Sequence, residues 1–172
     1  MIRRPPRSTL DRSSAASDVY KRQLLLTFSV NTFADPTYEN AESLIQKMWN
    51  SFIDGDIDAF SQTMSKDKDM VTFGTDASER WDSWQALEDS VALQFDAFDV
   101  VSVERKNKSL KISNSGNTAW FSETVDWEFL SNGKTEVVKD IRYTGVMEYR
   151  NGQWKIVQFH CSVGVAGQVI EY

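Results

Sequence analysis

The sequence predicts an α+β domain in which three N-terminal helices lie on one face of a strongly curved antiparallel sheet, and three observations carry that expectation. Apolar residues recur at helical spacing up to about Phe98 and then at strand spacing to the C-terminus. Asn151-Gly152, set between two β-branched and aromatic runs, supplies the two positive-φ positions of a tight type I′ hairpin turn. From Asp35 to Tyr172 neither a linker nor a repeat interrupts the chain, and that length suits one domain. Helices first and a meander afterwards make the helices a cover for one sheet face.

The elements follow in order. Asp35 is a good N-cap with Pro36 at the first helical position, and Tyr38, Ala41, Leu44, Ile45, Met48, Trp49 and Phe52 form the apolar stripe of a first helix. Asp54-Gly55-Asp56 ends it. Ile57, Phe60 and Met64 mark a short second helix capped by Asp56, and Met70 to Phe73 reads as a brief strand. Trp84, Leu87, Val91, Phe95 and Phe98 mark a third helix, with Asp82 and Gln85 spaced as a capping box. Strands are expected over Val100 to Val103, Leu110 to Ser113, Thr118 to Leu130, Thr135 to Tyr149 and Trp154 to Val163, because polar Asn/Gly/Ser turns separate these runs.

Two segments carry a family resemblance. Arg142-Tyr-Thr-Gly-Val146, the Asn-Gly turn and Trp154-Lys-Ile-Val-Gln-Phe-His160-Cys-Ser162 resemble the closing hairpin of SnoaL-like proteins in the nuclear transport factor 2-like superfamily. Gly74-Thr-Asp-Ala-Ser-Glu-Arg-Trp81 is similar to the Gly-Thr-Asp-x-x-Glu-x-Trp segment that precedes the third helix in such relatives. A glycine follows there where this chain has Ser83, which bears on the turn into the helix and leaves the fold intact. The resemblance extends from Asp35 to Gly167 and implies a cone-shaped α+β fold. It implies homodimers through the sheet in many relatives, and no particular reaction. Relatives that isomerise ketosteroids use an aspartate base with a tyrosine and a protonated carboxylic acid as oxyanion donors, and those groups find no residue-by-residue match here.

The ends differ from this body. Met1 to Gln23 holds six basic and two acidic residues, Pro5-Pro6 and a Ser/Ala run without apolar periodicity. It resembles translated sequencing-adapter text and is set apart from the fold, the alternative being a disordered basic arm. Leu24 to Ala34 is an apolar run too short to span a membrane, ending Thr32-x-Ala34 before Asp35. It reads as the remnant core and cleavage site of a secretory signal, so export is expected, with a short N-terminal strand or helical turn as the alternative. Of 19 Lys+Arg and 25 Asp+Glu in the chain, 13 and 23 remain after the head, a formal charge of −10. An acidic surface repels phosphate backbones, so no nucleic-acid partner is expected, nor a membrane one for the mature protein. Arg105, Lys106, Lys108 and Lys111 are the nearest basic group and read as a solvated face.

His160, the lone histidine, is the first candidate for acid–base work, since imidazole titrates near neutrality. Without a second histidine or paired cysteines no metal site is expected, and no cofactor is implied. A strand histidine is otherwise a polar group lining a cavity or bonded within the sheet. Arg142 could clamp a carboxylate, or pair across strands with Asp126 or Glu128. Glu123 falls among Ala119, Phe121, Val125 and Trp127, where an apolar setting would raise its pKa and make it a base unless a bulge turns it outward. Asp126 is a further available carboxylate. The six tryptophans offer wide apolar surface, and Trp81, Trp120 and Trp127 are candidate ligand contacts. Three function classes compete. The first is a binding domain for a small apolar or aromatic molecule, oriented by Arg142 and His160. The second is an isomerase, cyclase or hydratase with His160 or Glu123 as base, and the third is a dimeric association module.

Overall fold

The structure is a computed structural model, and it describes residues 36–167 and Ile170. The basic head, the apolar run to Ala34 and Asp35 itself lie outside the described residues, whereas the first-helix cap expected at Asp35 is taken by Thr37, and Pro36 precedes the helix instead of opening it. Helix α1, Tyr38–Asp54, starts at Thr37, whose hydroxyl accepts the Asn40 N–H. It ends at Gly55, whose φ of 62° suits glycine. Ala41, Ile45, Met48 and Trp49 are buried along its inner stripe, whereas Tyr38 at the helix start is exposed. Asp56 caps α2, Ile57–Thr63, as its sequence predicts.

Helix α3, Trp84–Ala97, is capped by Ser83, whose side chain accepts the Ala86 N–H, and not by Asp82. Asp82 is spent instead on an exposed ion pair with Arg80. Ser83→Ala is therefore expected to cost about 1 kcal/mol in urea unfolding, and Asp82→Ala less than about 0.5 kcal/mol. Equal losses would show that the cap is shared.

Six strands form one curved, unclosed sheet in the order β2-β1-β6-β5-β4-β3. Its members are β1 Thr72–Phe73, β2 Arg80–Trp81, β3 Asp99–Ile112, β4 Thr118–Ser131, β5 Lys134–Arg150 and β6 Gln153–Ser162. All neighbours are antiparallel except β1 and β6, joined in parallel at Phe73 and His160, so the sheet is mixed and not wholly antiparallel. The two strands expected between Val100 and Ser113 are one strand, because a bulge between Lys106 and Ser109 absorbs the polar stretch without ending the ladder. The Asn151-Gly152 turn has φ of 51° and 81°, both positive as expected.

A second bulge decides which residues face the helices. Trp127 pairs with Val138 and Val125 with Ile141, so Lys139 and Asp140 together oppose Asp126. Asp140 has φ 54°. This extra residue shifts the alternation: Ile141, Tyr143 and Met147 point inward, while Val137, which plain alternation would place on their face, is exposed and Val138 takes the inner side. Gly145, also inward, sits where a Cβ would lie 2.6 Å from the Phe121 ring. The inner sheet face and the buried helix stripes make one continuous core, with Phe60, Leu87, Val125, Met147 and Ile156 fully buried.

Candidate functional site

Between the helices and the concave sheet face lies a cavity of about 280 Å³. Met48, Trp49 and Phe52 of α1, Phe60 of α2, and Leu87 and Val91 of α3 form its helical wall. Trp127, Val138, Ile141, Tyr143 and Phe159 form its sheet wall. The rings interlock edge to face: Trp49 with Tyr143 at 4.9 Å between centroids, and Phe52 with Trp127 at 5.6 Å. The β1–β2 connection contributes Gly74, Thr75 and Glu79, beside Gln94 and Cys161.

The polar groups of this wall are few and dissimilar. Tyr143 is 1% exposed, and its hydroxyl reaches only the thioether sulfur of Met48, at 3.7 Å. Burial, with Cys161 and Glu123 adding and Arg105 opposing, holds this phenol protonated well beyond its ordinary range. Cys161 pairs with Tyr143 across the strands, and burial, reinforced by Glu79 and Glu123, likewise pushes its thiol well up. Glu79 is the acidic member of the wall. Its Oε2 accepts the Asp76 N–H at 3.0 Å and the Thr75 hydroxyl at 3.4 Å, while Gln94 approaches Oε1 only to 3.5 Å. The carboxylate has this position because residue 74 is glycine: a Cβ there would lie 2.2 Å from Oε2.

The residues expected to form a site divide between the two faces of the sheet. Trp81 and Trp127 line the cavity. Trp120, Arg142 and His160 are exposed and share the outer face, His160 opposite Thr144 and Arg142 opposite Ser162. His160 meets the Phe73 ring at 5.6 Å, and Arg142 opposes Thr124 and not the acidic residues weighed as its partners. Alternation alone separates them from the cavity, since Cys161 and Tyr143, one position away, point inward.

Glu123 lies opposite the β3 bulge, which leaves the alternation of β4 intact, so the side chain points inward and is buried, but it is fully engaged. Its Oε1 accepts the Trp49 indole N–H at 2.6 Å, and its Oε2 accepts the Arg105 Nε–H at 2.8 Å. Arg105 Nη2 lies 2.7 Å from the same oxygen, and Nη1 lies 2.9 Å from Glu42. Burial works against the charge of Arg105, yet Glu123 and Glu42 outweigh it and hold the guanidinium pKa above its ordinary value. Arg105 is thus a buried clamp and not part of a solvated face. Asp126 accepts from Lys106 Nζ at 2.6 Å and from the Asp140 N–H at 2.9 Å. The Lys106 bond, then the backbone bond, lowers its pKa, and its role is to pin the β5 bulge.

Glu79, Tyr143 and Cys161 line the cavity although the sequence does not mark them as site residues. Glu79 stands inside the Gly-Thr-Asp-x-x-Glu-x-Trp segment that signals the fold, and that segment was the one available signal. Among the described residues no cluster of His, Cys, Asp and Glu could hold a metal ion, and no helix is long and apolar enough to cross a membrane.

Comparison with known proteins agrees with this architecture. No curated protein matches the chain in sequence. Among solved structures, a nuclear transport factor 2-like superfamily protein from Salmonella enterica subsp. enterica serovar Typhimurium str. LT2 superimposes with a TM-score of 0.68 at 15% identity, over 78% of this chain and 96% of that one. A protein of the nuclear transport factor 2-like family from Streptomyces avermitilis, provisionally assigned as a dehydratase, gives 0.63 at 12% identity, over 77% and 100%. A protein from Xanthomonas campestris, provisionally assigned as a calcium/calmodulin-dependent protein kinase II association domain, gives 0.63 at 19% identity, over 74% and 87%. These likenesses establish a shared fold. The model of the SnoaL-like domain matches residues 41–166, which hold every helix and strand from the first turn of α1 to the end of β6, and the chain therefore belongs to the SnoaL-like domain family.

Proposed function

We propose that this domain binds a small, flat, apolar molecule in the cavity between helices and sheet, with Trp81 and Trp127 among its contacts. The observation that carries this reading is an aromatic-walled space of about 280 Å³ in which a fully buried tyrosine hydroxyl has no better acceptor than a thioether. A solid core would leave neither the volume nor the weakly used donor, because interiors are close-packed and buried polar groups find partners. Arg142, His160 and Trp120 do not take part, since they lie on the outer face.

The test is titration with naphthalene, a neutral two-ring probe, by calorimetry and by melting temperature. Saturable one-site binding with a concentration-dependent rise in melting temperature is expected, because a ligand that binds only the folded state stabilises it by mass action. Absence of both signals at the probe's solubility limit would end this reading.

A second inference rests on the outer face. Trp120 is 47% exposed there, next to Val146, and Phe73, which is 39% exposed, lies on the same face three strands away, on a side that no helix among the described elements covers. We infer that two copies associate through this face, which would hide the exposed aromatics. Light scattering at high micromolar concentration is expected to give a dimer mass, and Trp120→Glu a monomer. A monomer for the unaltered chain would remove the inference.

A further inference from the structure

We infer that the cavity selects neutral or cationic two-ring aromatic molecules bearing a hydroxyl or amine donor and rejects the corresponding carboxylates, with Glu79 as the discriminating group. This deepens the binding reading above and rests on it.

Size sets the first limit. A cavity of roughly 150 Å³ holds one benzene ring, so a cavity of about 280 Å³ suits a fused two-ring molecule. Charge sets the second. Glu79 is the one carboxylate in the wall, and no lysine, arginine or histidine accompanies it there. The other two ionisable groups in the wall, Tyr143 and Cys161, are held protonated by burial and cannot offset a ligand's charge. An anionic ligand would meet an uncompensated like charge in a partly dry space, whereas an O–H or N–H group would meet an acceptor.

Geometry sets the third limit. The Glu79 oxygen Oε2 is tied to the Asp76 N–H of its own loop, which fixes the carboxylate, while Oε1 has only Gln94 at the long limit of 3.5 Å and so keeps accepting capacity. Deeper in the cavity the Tyr143 hydroxyl, bonded only to sulfur, remains a donor that a ligand oxygen would satisfy better. The wall thus offers an acceptor at Glu79 and donors at the Tyr143 hydroxyl and the unpartnered Trp127 indole N–H, with Thr75 and Gln94 beside Glu79 and apolar side chains elsewhere. A few placed polar groups on a mostly apolar wall are how small-molecule pockets orient flat ligands.

The experiment compares naphthalene, 2-naphthol and 2-naphthoate by calorimetry at pH 7 on the full chain and on Glu79→Gln. For the unaltered protein 2-naphthol is expected to bind about tenfold or more tightly than naphthalene, since a hydrogen bond to a charged group is the stronger kind. The carboxylate 2-naphthoate is expected to bind at least about tenfold more weakly than 2-naphthol, from like-charge repulsion. In Glu79→Gln, whose side chain keeps the shape and loses the charge, the gap between 2-naphthol and 2-naphthoate should close to within about threefold, with far-UV circular dichroism as the control for an intact fold. If naphthalene binds but 2-naphthoate equals or exceeds 2-naphthol, or if the gap survives in Glu79→Gln, the selectivity inference falls and the cavity reading stands. If none of the three binds, the cavity reading itself falls.

Discussion

Replacing Arg105 by leucine is expected to lower the unfolding free energy by about 3–5 kcal/mol, the cost of leaving a buried carboxylate without its counter-charge. The Arg105 and Glu123 side chains are 6% and 2% exposed, so water cannot take over the lost partner. The effect should spread beyond one pair, because Glu123 also receives the Trp49 indole N–H and Arg105 also holds Glu42 and Gln46 of α1. Urea unfolding followed by far-UV circular dichroism measures the loss. The double variant Arg105→Leu with Glu123→Gln should recover part of it, since the unpaired charge is then gone while the amide can still accept from Trp49. A loss under about 1 kcal/mol for Arg105→Leu would mean that the network behaves as a surface ion pair and that α1 is held by apolar packing alone.

Val138→Trp is expected to abolish naphthalene binding while leaving the fold in place. Val138 is half-buried and lines the cavity beside Trp127, and it owes that inward position to the β5 bulge at Lys139 and Asp140. An indole there extends into free space and not into close-packed core, so the overpacking cost should stay near or below the usual ~1–3 kcal/mol, and tryptophan suits a strand. A loss of affinity of about tenfold or more is expected, because the added rings occupy volume that a two-ring ligand requires. The neighbouring variant Val137→Trp is the control: position 137 is 51% exposed and on the other side, so binding should persist. Equal loss in both variants would show that the sheet distorts and the cavity was not filled.

Most of the fold was legible in the chain because its causes are local. The helical stripe from Ala41 to Phe52, the Asp56 cap and the Asn151-Gly152 turn each arise within a few residues, and each appears in the structure where the residues place it. The misjudged details are competitions between neighbours of similar chemistry. Ser83 took the cap from Asp82 because Asp82 has Arg80 as a partner. The bulge after Lys106 kept β3 whole, where a polar run alone suggests a turn.

The site was less legible, for a different reason. Strand alternation tells that Arg142, Thr144, His160 and Ser162 share one face and that Tyr143 and Cys161 share the other, and this much follows from sequence. Which face the helices cover is decided by long-range packing. The chemistry drew attention to His160 and Arg142, while the covered face belongs to the phenol and thiol beside them. Glu123 shows the same limit, since only the approach of Trp49, 74 positions away, and Arg105, 18 away, turns a carboxylate on an apolar face into a structural clamp. The sequence by itself determined the three helices ahead of the long strands, the acidic body, the hairpin and the family. Tertiary structure alone decided the cavity, the place of Glu79 at its wall and the partners of every buried charge, because these depend on contacts between residues that share no local pattern.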